Sequence, residues 1–125
     1  MTLQNKPIPN PLRGESVVIS FKAFGFSGFD NANVCFSYVP DREVLAEEIF
    51  SNWFQSAQKK SCDTIPELTA NEMLNTFYHE VLPYHVNLDI VIQHKTGVTQ
   101  RIQVIKNQPN YNLPLELKER ILTNV

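Results

Sequence analysis

Histidine and cysteine are the residue types in this chain best suited to carry chemistry, but their spacing does not define a site. His79 and His85 cannot project from one helical face as paired zinc ligands do, because Pro83 breaks any helix between them. Cys35 or Cys62 could pair with a histidine as a nucleophile. A reactive thiol, however, needs an electropositive, partly exposed environment that spacing alone does not indicate. We therefore expect no catalytic residue, no metal site and no cofactor.

The glycines and the charges argue against two further classes of site. The glycines at positions 25 and 28 are followed by neither a helix nor the Lys-Ser/Thr pair of a phosphate-binding loop. Basic residues form no cluster of the kind that binds a phosphate backbone, so we do not expect a nucleic-acid partner. Residues 41–82 hold eight acidic and three basic residues. An acidic helical segment of this kind is most simply a solvated outer face.

Three aromatic residues crowd the tip of the first predicted hairpin, namely Phe24, Phe26 and Phe29. Exposed apolar clusters often mark a surface that binds a partner. The alternative is that the rings fold back over the edge of the sheet. We predict that the three phenylalanines bind a protein partner or a second copy of the chain.

Polar residues alternate along the second predicted hairpin without the dense charge typical of a solvated strand. They are Asn87, Asp89, Gln93, Thr99, Arg101 and Gln103. Such a face suits a sheet that pairs with another subunit or lines a polar ligand cleft, and ordinary solvent exposure is the third alternative. Arg101 is the charged residue that we assign to partner binding.

The elements that must position these residues follow from hydrophobic periodicity. Alternation of apolar residues predicts four strands, over residues 16–24, 33–39, 86–94 and 98–106. A loop over residues 25–32, rich in turn-forming residues, joins the first two strands into a hairpin. The last two strands form a second hairpin, whose turn contains Gly97.

Helical periodicity predicts three helices, over residues 41–60, 69–82 and 113–123. Asp41 follows a proline and offers an N-cap for the first helix. Thr69 and Glu72 have the spacing of a capping box, so the second helix is predicted to begin there. The order ββ-αα-ββ-α indicates an α+β fold, in which two amphipathic helices pack on one face of an antiparallel four-stranded sheet.

Length and composition indicate one globular domain. The chain has 125 residues, of which 42% are hydrophobic and 19% are charged. Residues 1–14 are predicted to form an extended arm, because Pro7, Pro9 and Pro11 disfavour a helix there. Residues 15–125 are predicted to form a single α+β domain. The N-terminus lacks the apolar segment of a secretory signal, and no apolar run suits a membrane helix, so we expect a cytoplasmic protein.

Two interpretations of function follow. The first is a non-enzymatic protein-interaction or assembly module that self-associates. The order ββ-αα-ββ is also shared with the tunnelling fold of pterin- and purine-handling enzymes, which build barrels by joining subunits edge to edge. No metal-binding or nucleophile motif of those enzymes can be placed on this chain. The alternative is therefore a small enzyme or ligand-binding protein with a purine- or pterin-like ligand at a subunit interface, held by Glu80, His79 and His85.

Overall fold

The computed structural model describes residues 8–9, 17–60 and 65–123. Its elements are, in chain order, β1 (Ile8–Pro9), β2 (Ile19–Phe26), β3 (Phe29–Val39), β4 (Glu43–Val44), α1 (Glu47–Lys60), α2 (Pro66–Val81), β5 (His85–Gln93), β6 (Thr99–Asn107) and α3 (Leu115–Thr123). Four strands form an antiparallel sheet in the order β2-β3-β5-β6, and β1 pairs separately with β4. The α+β class and the antiparallel four-stranded sheet with helices confirm the fold predicted from the sequence. The rest of the predicted arm over residues 1–14, and Cys62, lie outside the described residues.

The pairing of β3 with β5 gives the sheet one apolar and one polar face. Val34 lies opposite Ile90, and Phe36 lies opposite Leu88. None of these four residues exposes more than 3% of its surface. Successive side chains of a strand point to opposite faces, so this register collects the apolar residues on the face that α1 and α2 cover.

Phe36 lies at the centre of an aromatic core that joins the sheet to both helices. Its ring centroid is 5.0 Å from that of Phe50 and 6.1 Å from that of Trp53, both on α1. The ring of Phe77 on α2 lies 4.7 Å away. Aromatic pairs in such tilted arrangements contribute about 0.5–1.5 kcal/mol each beyond the burial of their surface. A single strand residue therefore contacts both helices on the same face of the sheet.

The connection between β2 and β3 is a two-residue turn, not the loop expected over residues 25–32. Ser27 and Gly28 have φ values of 50° and 86°, and turns with two positive φ angles match the twist of the flanking strands. Gly25 has a φ of 85° and lies where the pairing of β2 with β3 shifts register. Glycine reaches that conformation without the clash of a Cβ atom. Gly25 therefore forms a bulge, and Ser27 and Gly28 form a tight turn, within a hairpin that is longer than predicted.

The first helix begins at Glu47 and not after Asp41, so the predicted N-cap is wrong. Two tertiary contacts hold the intervening segment extended. Strand β4 pairs with β1, and the backbone N–H of Leu45 donates to Tyr38 Oη at 2.9 Å. Burial raises the pKa of Tyr38 to about 12, although the hydrogen bond from Leu45 acts in the opposite direction.

The second helix begins at Pro66, before the predicted capping box. Ile65 is its N-cap residue, with extended dihedral angles, and proline suits the first turn of a helix because its φ is already helical. Thr69 therefore lies inside the helix and is fully buried. The end of the helix is as predicted, since Leu82 adopts a left-handed conformation directly before Pro83.

The third helix buries Leu117 and Ile121, which lie four positions apart and therefore share one face of the helix. Within the described residues, no helix has the length and apolar character needed to cross a membrane.

Candidate functional site

The face of the sheet opposite the helices is polar, and its centre is buried. Register places Ser37 opposite Asn87, and Cys35 opposite Asp89. Ser37, Asn87 and Asp89 expose no more than 2% of their surface. Simple solvent exposure, one of the alternatives for this face, therefore does not describe its central strands.

Hydrogen bonds from the two outer strands cover this polar centre. On the β2 side, the hydroxyl oxygens of Ser20 and Ser37 lie 2.9 Å apart. On the β6 side, Gln103 Nε2 donates to Asn87 Oδ1 at 3.3 Å. Because buried polar groups are costly unless they are hydrogen-bonded, these contacts make the polar face a connected layer.

Asp89 and Arg101 form the strongest electrostatic contact of the polar face. Arg101 Nε donates to Asp89 Oδ1 at 3.0 Å, and Arg101 Nη2 donates to Asp89 Oδ2 at 2.5 Å. The Asp89 side chain is 1% exposed, whereas that of Arg101 is 52% exposed. The hydrogen bonds and charge of Asp89 raise the pKa of Arg101. The guanidinium is therefore charged, held in one orientation and open to solvent.

A cavity of about 390 Å³ opens on the same face, over β2, β3 and β5. The polar-face residues that line it are Lys22, Phe24, Asn33, Cys35, Asp89 and Val91. Phe24 is 85% exposed, so the lining of the cavity combines a solvent-exposed aromatic ring with polar side chains. Arg101 on β6 lies opposite the cavity residue Val91 in the sheet register and is hydrogen-bonded to the cavity residue Asp89.

The thiol of Cys35 lies in this cavity but is poorly suited to attack a substrate. Burial raises its pKa, and this outweighs the hydrogen bond from Ser37 and the charge of Lys22, which lower the pKa. Asp89 raises it further. Since the thiolate is the nucleophilic form, a protonated Cys35 favours a binding site over a thiol-based catalytic site. Among the described residues, no three His, Cys, Asp or Glu side chains lie close enough together to hold a metal ion.

The structure separates the three phenylalanines of the hairpin tip. Phe24 points to solvent, whereas Phe26 is 1% exposed and packs 6.2 Å from Phe54 on α1. Phe29 is partly buried, and its ring meets that of His94 edge-on at 5.4 Å. Phe24 is therefore the most exposed of the three rings, whereas the other two pack against the rest of the protein.

The residues of the alternative interpretation do not meet at the cavity. Glu80 and His79 belong to α2, which covers the apolar face. His85 is on the polar face but lies four residues along β5 from Asp89. His85 is buried, and its Nδ1 lies 3.0 Å from Asn107 Oδ1. The cavity thus contains Asp89, to which the sequence had assigned only a place on the polar strand face.

Several cavity residues had a partial signal in the sequence. Lys22 and Phe24 share one face of β2 by the two-residue period, as Asp89 and Val91 do on β5. Bringing the two pairs together requires β3 to pair with β5. That pairing joins the two predicted hairpins, and their separate patterns do not specify it.

Comparisons with known proteins give a likeness of fold. No family model and no curated protein matches the chain. Among solved structures, the crystal structure of the archaeosine synthase QueF-Like in the apo form is similar, with a TM-score of 0.55 and 19% sequence identity. The match covers 78% of this chain and 95% of that chain. At this identity, the likeness shows that the two chains share a fold.

Proposed function

We propose that the chain is a small-molecule-binding protein of the tunnelling-fold type. Its ligand is a purine- or pterin-like heterocycle, held on the polar sheet face where one subunit meets another. The observation that carries the proposal is the cavity of about 390 Å³ on the polar sheet face, whose lining combines a buried carboxylate with an exposed aromatic ring.

The cavity has the size and the groups that such a ligand needs. Small-molecule sites usually measure roughly 300–1,000 Å³ and combine apolar walls with a few fixed polar groups. Phe24 offers a ring for stacking, and aromatic pairs gain energy from offset stacking. Asn33 offers both a donor and an acceptor, and Lys22 offers donors only. These groups suit a flat ring whose edge carries oxygen and nitrogen atoms.

The fold supports the same class of ligand. One solved structure similar to this chain is that of an archaeosine synthase, and the element order ββ-αα-ββ is the one shared with the tunnelling fold. We place this chain in the binding class and assign it no reaction, because the cavity thiol of Cys35 has a raised pKa.

The position of the cavity favours an interface between subunits. Lys22 and Phe24 lie on β2, which is an edge strand of the four-stranded sheet. An edge strand offers backbone groups that can pair with another chain. A second subunit at this edge would extend the wall of the cavity beside Phe24.

A thermal-shift screen against purines and pterins tests the proposal. We expect the melting temperature to rise with ligand concentration, because a ligand that binds only the folded state stabilises it by mass action. Phe24→Ala should abolish the rise. Leu115→Ala, which truncates another exposed apolar residue on α3, should leave it intact. No rise with any compound of the panel would overturn the proposal.

A second candidate function is assembly without a ligand, as a protein-interaction module. One observation favours it, namely the exposed Ile105 on the other edge strand, β6, where 53% of its surface is open to solvent. Self-association in the absence of a thermal shift with any ligand of the screen would support this candidate over the first.

A further inference from the structure

We infer that Arg101 determines which heterocycle the polar face accepts: it selects rings that carry a carbonyl oxygen beside a ring nitrogen acceptor, as 6-oxopurines and 4-oxopterins do, over 6-aminopurines. The inference rests on the proposed function and deepens it by naming the substrate class. It is carried by the geometry of the Asp89–Arg101 pair and by its place beside the cavity.

The pair leaves one edge of the guanidinium available. Arginine has five N–H donors in a fixed planar fork. Asp89 engages the edge formed by Nε and Nη2. The other edge, formed by Nη1 and the second hydrogen of Nη2, remains for two adjacent acceptors. Because the plane is fixed by two hydrogen bonds to a buried carboxylate, the direction of this second edge is fixed as well.

Asp89 acts here as a positioning residue for the guanidinium of Arg101. Its side chain is 1% exposed and both of its oxygens accept from Arg101. Arg101 is 52% exposed at its side chain, so Arg101 presents the charge and the donors to solvent. A guanidinium remains charged at any physiological pH, so no change of protonation can turn its donors into acceptors.

The register of the four strands sets the distance between Phe24 and Arg101, across which a ligand would lie. Phe24 is opposite Asn33, Asn33 is opposite Val91, and Val91 is opposite Arg101. Phe24 and Arg101 are therefore three strand spacings apart in one row across the sheet, or roughly 14 Å between their strands. A span of this width is enough for a bicyclic ring to lie between the two side chains.

The donor pattern of the free guanidinium edge discriminates between purines. A 6-oxopurine presents O6 and N7 as adjacent acceptors, and arginine binds this pair with two hydrogen bonds. A 6-aminopurine presents a donor at N6 beside N7, so one donor of the guanidinium would face another donor. In proteins that read bases, two such hydrogen bonds from one arginine favour the matching base over the mismatched base by roughly 5- to 150-fold in affinity.

Titration calorimetry with guanosine and adenosine tests the inference. We expect the unmodified chain to bind guanosine more tightly, within that range. Arg101→Lys keeps a positive charge but loses the planar fork, so it should lose the preference and leave the affinity for adenosine nearly unchanged. Arg120→Gln removes an arginine that is paired with Glu116 on α3, and it should keep the full preference.

A double variant guards against loss of folding. Arg101→Gln alone leaves the buried Asp89 without its cation, which is costly, whereas Asp89→Asn combined with Arg101→Gln removes both charges. If the double variant binds both nucleosides alike, the inference is supported. If it still prefers guanosine, or if the unmodified chain binds both nucleosides equally, the role of Arg101 is refuted while the proposed function stands.

Competition with inorganic phosphate distinguishes a base-reading site from a general anion site. If phosphate displaces guanosine and Arg101→Lys keeps this competition, the face is a general anion site and the inference fails. If no purine or pterin binds to the unmodified chain at all, the proposed function fails, and the inference fails with it.

Discussion

His85 is the histidine of the polar face whose protonation is most affected by burial. Its side chain lies at the start of β5, and its Nδ1 is 3.0 Å from Asn107 Oδ1. A carbonyl oxygen only accepts hydrogen bonds, so Nδ1 carries a proton and donates. Burial lowers the pKa of His85, and the hydrogen bond to Asn107 offsets part of this effect. The folded state therefore prefers the neutral ring.

This preference predicts a loss of stability in mild acid. The unfolded chain binds a proton at His85 more readily than the folded chain, so the free energy of unfolding falls as the pH drops below about 6.5. His85→Gln keeps a hydrogen-bonding side chain but cannot titrate. The decrease in the free energy of unfolding between about pH 7.5 and about pH 5 should therefore be smaller in this variant. Urea unfolding at a series of pH values measures the free energy of unfolding of both proteins.

The matched control is His79→Gln, since His79 is an exposed histidine on α2. It should keep the pH dependence of the unmodified chain. An unchanged dependence in His85→Gln would show that the burial of His85 does not contribute to acid sensitivity.

The phenylalanines show what the sequence can and cannot predict for single residues. Phe24 and Phe26 have the same side chain and lie two positions apart, yet one is 85% and the other 1% exposed. A strict two-residue period would place both on one face. The register shift at Gly25 moves Phe26 to the opposite face, against Phe54. Such a bulge depends on the partner strand, so the sequence of β2 alone could not predict it.

At the scale of elements, one ring of strand β3 packs against both helix α1 and helix α2. Phe36 contacts aromatic rings from both helices. We predict that Phe36→Ala lowers the free energy of unfolding by about 3–5 kcal/mol, because it removes buried surface and leaves a cavity. Phe24→Ala makes the same substitution in the same hairpin at an exposed position and should change stability by less than about 0.5 kcal/mol.

Urea denaturation of the two variants measures the difference. If Phe36→Ala leaves too little folded protein, Phe36→Leu keeps more of the volume and should show a smaller loss of the same sign. Equal stability of Phe36→Ala and Phe24→Ala would contradict the view that one ring holds both helices on the sheet.

The elements themselves were predictable where a local period determined them. The alternation in β5 and β6 and the apolar stripe of α1 each repeat over several residues, and the structure confirms them. The starts of α1 and α2 were not predictable from their caps. A contact from Tyr38 to Leu45 and the pairing of β1 with β4 hold the chain extended before α1. A proline at the first turn starts α2 earlier than its capping box. The contacts before α1 join residues that are separated in the sequence, and local helix propensity does not take such contacts into account.

At the scale of the whole molecule, the two edges of the sheet differ in how readily they can pair. Strand β2 carries the register shift at Gly25 and an exposed lysine, Lys22. Bulges and edge lysines are devices that discourage pairing with another chain. Strand β6 pairs with β5 over nine residues without a register shift and carries the exposed Ile105. The β6 edge is therefore the better candidate for self-association by strand pairing, so a subunit that extends the cavity at the β2 edge would have to pack there through side chains.

We predict that the chain self-associates and that Ile105→Lys weakens the association. Burying an isoleucine at an interface is worth about 1.5–3 kcal/mol, and a lysine at an edge opposes pairing, so the dissociation constant should rise by roughly tenfold or more. Leu115→Lys places the same charge at a residue of α3 that is 69% exposed, and it should leave the association unchanged. Sedimentation velocity over a range of concentrations measures both variants. A chain that sediments as a strict monomer at high micromolar concentration would contradict self-association through β6.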